Sequence, residues 1–140
     1  MLQSPYPVII PVVLLFVIVI YFKIFHHYLR VHIHDLSHKL GLFGIMGIQL
    51  RGTPVGFIIN TLIRADTNNI DVKPMELESI YLVRRSPDDV NTCIDVLIEI
   101  NSSNQRNELA RIQEMHFYGI SKEDIIAFFQ KDNEEDSPKT

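Results

Sequence analysis

A single cysteine, Cys93, stands in a chain of 140 residues, so no intrachain disulfide framework can form, and the composition fits a reducing compartment. Cys93 is at helical spacing with Val90 and Leu97, which reads as a small core position. No His–Cys arrangement supports a nucleophile. Gly-rich phosphate loops, nucleophile–base sets and metal signatures are also missing, which argues against an enzyme and calls for no catalytic residue and no cofactor. Paired acids occur at Asp88-Asp89 and Glu123-Asp124, where a helix N-terminus favours acids and capping explains them. Charge is scarce at the start: Met1 to Pro7 holds no Lys or Arg, and no charged residue precedes Lys23.

What fills that uncharged stretch is the run Val8 to Phe25, dominated by Val, Ile, Leu and Phe. As a helix it spans about 27 Å, close to the ~30 Å hydrocarbon core of a bilayer. Pro11 falls near its start, where a helix tolerates the missing donor. Lys23 is near its end, where a long side chain snorkels to the headgroups. Tyr6 and Tyr28 flank the run as interfacial anchors. Without a basic N-terminal region, and with His26-His27-Tyr28 where a cleavage site needs small residues, the run does not read as a signal peptide. It predicts a membrane anchor over residues 1–28.

Charge gives the anchor a direction. Lys23 at the end of the run and Arg30, Lys39 and Arg51 beyond it stand against one acid, Asp35, so the positive-inside rule places the rest of the chain in the cytoplasm. Residues 1–64 carry a net charge of +4 and the remainder −8, the −4 of the whole chain. The basic part suits anionic lipid, and the acidic part argues against nucleic acid as a partner.

Beyond Tyr28, Leu29, Ile33, Leu36, Leu40 and Phe43 step by four and three, one apolar stripe opposed by Arg30, His34, Ser37, His38 and Lys39. The spacing predicts an amphipathic juxtamembrane helix lying in the interface, within a segment 29–52 loosened by Gly41, Gly44 and Gly47. The candidate membrane-interface residues are Lys23, Arg30, His34, His38 and Lys39. His34 and His38, four apart, share a face in such a helix. No Cys, Glu or second His pair completes a set of four metal ligands, so they read as interfacial side chains with no metal, whose ordinary pKa of ~6.5 suits mild pH sensing.

From residue 53 to 130 the pattern is one of short helices. Pro54 opens the first, which carries Ile58, Ile59, Leu62 and Ile63 and fades at Asn68-Asn69. Pro74 opens a second, with Leu77, Ile80, Tyr81 and Leu82 facing inward. Ser86-Pro87-Asp88-Asp89 starts a third, holding Val90, Cys93, Ile94, Leu97 and Ile98 and ending at Asn101-Ser102-Ser103-Asn104. A fourth runs from about Glu108 to Tyr118 and ends at Gly119; Ser121 caps a fifth, with Ile125, Ile126, Phe128 and Phe129. A shift of 35 residues superposes Ile59 on Ile94, Leu62 on Leu97 and Ser86-Pro87-Asp88-Asp89 on Ser121-Lys122-Glu123-Asp124, which predicts helical-hairpin repeats. The fold class expected is all-α: a transmembrane helix, the amphipathic helix, then the repeats. Lys131 to Thr140, polar and acidic, should be disordered.

Met46-Gly47-Ile48-Gln49-Leu50-Arg51, Pro54, Ile58-Ile59-Asn60-Thr61-Leu62-Ile63-Arg64-Ala65, Asn69-Ile70-Asp71-Val72 and above all Glu76-Leu77-Glu78-Ser79-Ile80-Tyr81-Leu82 follow one another in this order. Together with Val90, Leu97-Ile98 and Asp124-Ile125, they make the segment from Gly47 to Gln130 resemble the N-terminal region of the bacterial flotillin-like proteins, membrane scaffolds of lipid microdomains. The family's Gly-containing turn after Tyr-Leu is replaced by Val83-Arg84-Arg85-Ser86-Pro87, and Glu99-Ile100-Asn101-Ser102-Ser103 stands where an Ala-rich stretch is expected. The band-7-type domain and Glu/Ala-rich oligomerisation region are not within these 140 residues. The resemblance therefore implies a small membrane-anchored scaffold or adaptor without the family's large oligomers. Its implied partners are the lipid bilayer and a protein, either a full-length flotillin-like protein or a second copy of this chain. The alternative is an accessory subunit of an integral membrane complex, against which stands the lack of Gly and Ser for close helix packing in Val8 to Phe25.

Overall fold

The computed structural model describes residues 6–100 and 105–135, and all the regular structure among them is helical. The chain divides into two compact units, Met1–Val55 and Gly56–Thr140.

The first unit is built on α1, Tyr6–Ile33, whose 28 residues extend about 42 Å. Pro11 is inside α1 rather than in its first turn. From Ile9 to Lys23 every residue is exposed. Towards the C-terminal end, Ile24, His27, Tyr28 and Val31 form a less exposed row at i, i+3, i+4 and i+7, and Val31 is fully buried.

What covers Val31 overturns one expectation. The amphipathic helix predicted through Leu29, Ile33, Leu36, Leu40 and Phe43 is not continuous. Helix α1 stops at Ile33, Asp35 takes the left-handed conformation (φ 53°), and a single 3-10 turn, Leu36–His38, follows. Asp is among the few side chains that accept this conformation at low cost. Gly41, extended, then opens α2, Leu42–Leu50. Both the 3-10 turn and α2 pack on α1. Leu36 and Leu40 are buried with Ile45 and Ile48, while Leu29, Ile33 and Phe43 remain exposed, so the expected stripe is split between two environments. Burying five aliphatic side chains at ~1.5–3 kcal/mol each outweighs the hydrogen bonds lost at one helix break.

The second unit holds α3 (Val55–Thr67), α4 (Pro74–Arg84), α5 (Pro87–Ile100), α6 (Gln105–Phe117) and α7 (Lys122–Glu135). Helix α5 is its centre and touches α4, α6 and α7. Its expected core residues Val90, Cys93, Ile94 and Leu97 are buried, Ile98 is half-buried, and Val96 and Ile100 are buried as well. On α4, Leu77 and Ile80 are buried, but Leu82, expected inside, points outward. Phe128, likewise expected inside α7, is exposed beside buried Ile125 and Phe129.

Helix ends follow their local chemistry. The Ser86 hydroxyl accepts the Asp89 amide (3.4 Å), and Ser121 accepts the Asp124 amide (3.2 Å) while donating to its carboxylate (2.7 Å). Helices α2, α3 and α6 end in one backbone motif with Gly52, Asn69 and Gly119 in the left-handed region. The next residue reaches back five positions: Thr53 to Ile48, Ile70 to Ala65 and Ile120 to Met115, at 2.9–3.2 Å. At the other end of the chain, α7 continues to Glu135, five residues into the stretch expected to be disordered. Asp132 in that turn pairs with Arg111 of α6 at 3.4 Å, and Arg111 also lies over the rings of Phe128 and Phe129.

Candidate functional site

The long exposed face of α1 is the surface that ordinary globular packing does not explain. Ile9 to Ile33 is long and apolar enough to cross a membrane, and none of its most apolar 18-residue stretch is buried; it is the one such helix among the described residues. Large apolar side chains such as Leu14, Leu15, Phe16 and Phe22 are each more than 60% exposed. A patch of this size far exceeds what a soluble monomer leaves in water.

The five residues expected at the membrane interface do not share one helix face. Lys23 is exposed on α1, and Arg30 is half-buried in its last turn. His34 follows the end of α1, exposed, while His38 donates from Nδ1 to the Asp35 carbonyl at 2.8 Å and closes the 3-10 turn. Lys39 is half-buried after that turn. The left-handed Asp35 between His34 and His38 removes the i, i+4 relationship the sequence pattern implied. Among the described residues no three His, Cys, Asp or Glu side chains converge in a manner that would hold a metal ion.

In the second unit several charged groups tie helices together. His116 Nε2 donates to Asp89 Oδ1 at 2.8 Å, Arg64 pairs with Asp95, and Lys122 Nζ is 2.5 Å from Glu99 Oε1. The Glu99 carboxylate raises the Lys122 ammonium above its ordinary pKa. Arg84, in the last turn of α4, donates to the Phe117 carbonyl (2.9 Å) and stacks its guanidinium 4.9 Å from the Phe117 ring. The Asp88-Asp89 and Glu123-Asp124 pairs occupy first helical turns.

Cys93 is fully buried, and desolvation, with a smaller contribution from Asp89, pushes its thiol up to about 12. A thiol so protonated at neutral pH is neither a nucleophile nor an accessible acylation site. An open groove along α6 is lined by Ala110, Gln113, Glu114, Phe117 and Tyr118, and Glu114 is the one carboxylate among these described residues. The Asn68-Asn69 turn serves the helix end: Asn68 Nδ2 donates to the Arg64 carbonyl at 2.8 Å. The Asn101 to Asn104 turn lies outside the described residues. One feature escaped sequence reasoning: Glu78, written among alternating polar residues, is only 4% exposed. Helical period alone marks it, since it follows Leu77 and precedes Tyr81 by three.

No protein-family model, curated protein or solved structure matches this chain.

Proposed function

We propose that this protein is a small membrane-anchored adaptor. Helix α1 fixes it in the bilayer, the basic residues from Lys23 to Arg51 face the cytoplasmic headgroups, and the acidic helical unit presents a surface to a protein partner. The observation that carries the reading is the uncovered apolar face of α1 joined to a helical unit whose polar groups cap and bridge helices. A chain of that design localises something; it does not turn over a substrate.

The ordered sequence blocks from Met46 to Leu82 support a scaffold of the flotillin-like kind, and the partner proposed is a full-length flotillin-like protein or a second copy of this chain. The hairpin-repeat reading belongs to the same proposal. In its favour, Ser86 and Ser121 start α5 and α7 with one capping device, and Ile59, Ile94, Leu62 and Leu97 are all buried. The register is looser at α3, which opens at Val55 where the matching Val90 is the fourth residue of α5.

Affinity purification of the full chain from gently solubilised membranes tests the function. A stoichiometric soluble or single-span partner is expected. Co-purification with a multi-span complex would favour the accessory-subunit reading, and full extraction by alkaline carbonate would remove the anchor itself.

A further inference from the structure

Helix α2 carries a second apolar surface, distinct from the one it packs on α1. At 100° per residue, Leu42, Phe43, Met46 and Leu50 fall within an arc of about 100°, while Ile45 and Ile48 point the other way. The inward pair is buried, at 0% and 2% exposure; in the outward arc Phe43 and Leu50 are 86% and 85% exposed. The helix is thus apolar on both sides, and only one side has a protein neighbour.

Three observations say what covers the other side. First, the arc belongs to the same compact unit as α1, on which α2 packs, and α1 itself exposes large apolar side chains at Tyr21, Phe22 and Phe25. Second, no charged residue occurs from Leu40 to Leu50, and cations bracket that window at Lys39 and Arg51. A guanidinium or ammonium at each end of an uncharged helix is the pattern of an element held at the level of lipid phosphates. The Arg51 guanidinium already folds back over α2, where a Cβ at Gly47 would meet its Nη1 at 3.3 Å. Third, the polar member of α2, Gln49, lies at the edge of the arc beside Leu42, half-buried and with its Oε1 shielded, so the arc itself is wholly apolar. Nine residues reach about 13 Å, far short of a bilayer crossing, so such a helix enters one leaflet only.

We propose that lipid acyl chains cover the arc of Leu42, Phe43, Met46 and Leu50, so that the protein engages the leaflet at the C-terminal end of α1 twice, once through α1 and once through a shallow α2. The proposal rests on α1 being a membrane span. It assigns the turn at Asp35 a purpose: the break folds α2 onto α1 and sets its apolar arc at the leaflet.

The chain has no tryptophan, so single-tryptophan variants report one position each. Phe16→Trp, Phe43→Trp and Leu50→Trp, all at exposed sites, are reconstituted as full chains into phosphatidylcholine–phosphatidylglycerol vesicles. The vesicle lipids are brominated near the headgroup or near the methyl end of the acyl chains. Circular dichroism matching the parent chain establishes that each variant is folded. Phe43→Trp and Leu50→Trp should be quenched most by the shallow bromines and shielded from aqueous iodide. Phe16→Trp should be quenched most by the deep ones. Quenching at Phe16→Trp with none at Phe43→Trp and Leu50→Trp overturns the proposal and leaves the anchor standing. No quenching at Phe16→Trp overturns the anchor. Emission from Phe43→Trp that escapes both bromine and iodide, and shifts to the red on dilution with excess lipid, identifies a second copy as the occupant and likewise overturns the proposal.

Discussion

His116 in the last turn of α6 donates from Nε2 to Asp89 in the first turn of α5, 2.8 Å away, with both side chains at least four-fifths shielded from solvent. The acid also sits at the helix end that favours it, the N-terminus of α5. The hydrogen bond therefore does more than join two helices; it fixes which end of α6 meets which end of α5. His116→Ala should lower stability by about 1–2 kcal/mol, because it leaves a largely shielded carboxylate without this partner. Asp89→Asn should cost less, since the amide still accepts a hydrogen bond. Urea unfolding of the detergent-solubilised chain, followed by circular dichroism, measures both.

Burial of Cys93 gives the protein a distinctive alkaline response. Its thiol titrates near 12 in the folded state against an ordinary 9.0. Between those values the unfolded chain has lost the proton and the folded chain still holds it, so stability falls as pH rises through that window. Other groups titrate there too, and Cys93→Ala isolates the thiol: its stability should decline less steeply than that of the parent above pH 9. At neutral pH a water-soluble maleimide should label Cys93 only as fast as the second unit opens, and labelling of the native protein at a free-thiol rate would contradict the burial.

The two leucines of α4 separate what periodicity predicts from what packing decides. Leu77 is fully buried, whereas Leu82 is 36% exposed. Leu77→Ala should cost about 2–5 kcal/mol and Leu82→Ala no more than about 1 kcal/mol, read as shifts of the urea midpoint at constant slope. Both positions satisfy a helical stripe in the sequence. They differ because α4 contributes to the core mainly through its middle turns, Leu77 to Tyr81, and then ends at the left-handed Arg85.

Helix boundaries were legible wherever a local signal sets them. Pro74, Ser86-Pro87 and Ser121 mark starts that the structure keeps, and Asn69 and Gly119 mark ends because each provides the left-handed residue that closes the last turn. The break at Asp35 was not legible. Leu29 to Phe43 has a helical period throughout, and only contact with α1 makes burial of Leu36 and Leu40 worth more than another helical turn. The same holds for the end of α7, whose last turns are polar but gain a cross-helix partner in Arg111. The five residues expected at the interface all fall in the first unit, and their mutual arrangement depends on that unforeseen turn. The long apolar helix was readable without tertiary information, since it is defined by what it lacks.

The C-terminal motif of α6 yields a sharp stability test. Gly119 holds φ at +83°, and a Cβ there would meet open space, so no steric collision complicates substitution. Gly119→Ala should cost about 1 kcal/mol from the left-handed backbone alone, and Gly119→Asn less, as Asn tolerates this region.

Helix α1 yields the decisive test of the anchor. Val17 lies midway along its exposed apolar face. Val17→Arg adds a charge at the point farthest from either headgroup layer, costing about 2.5–3.5 kcal/mol of insertion free energy, whereas Val17→Leu costs nothing. A cost of this size should raise the carbonate-soluble fraction of the Arg variant measurably above that of the Leu variant, which stays in the membrane. The second unit keeps its own core, so the released Arg chain should retain the cooperative unfolding of α3 to α7, with Cys93 still protected from maleimide. Loss of that protection would mean that the second unit depends on the bilayer for its fold, and the division into an anchor and an independently stable adaptor would fail.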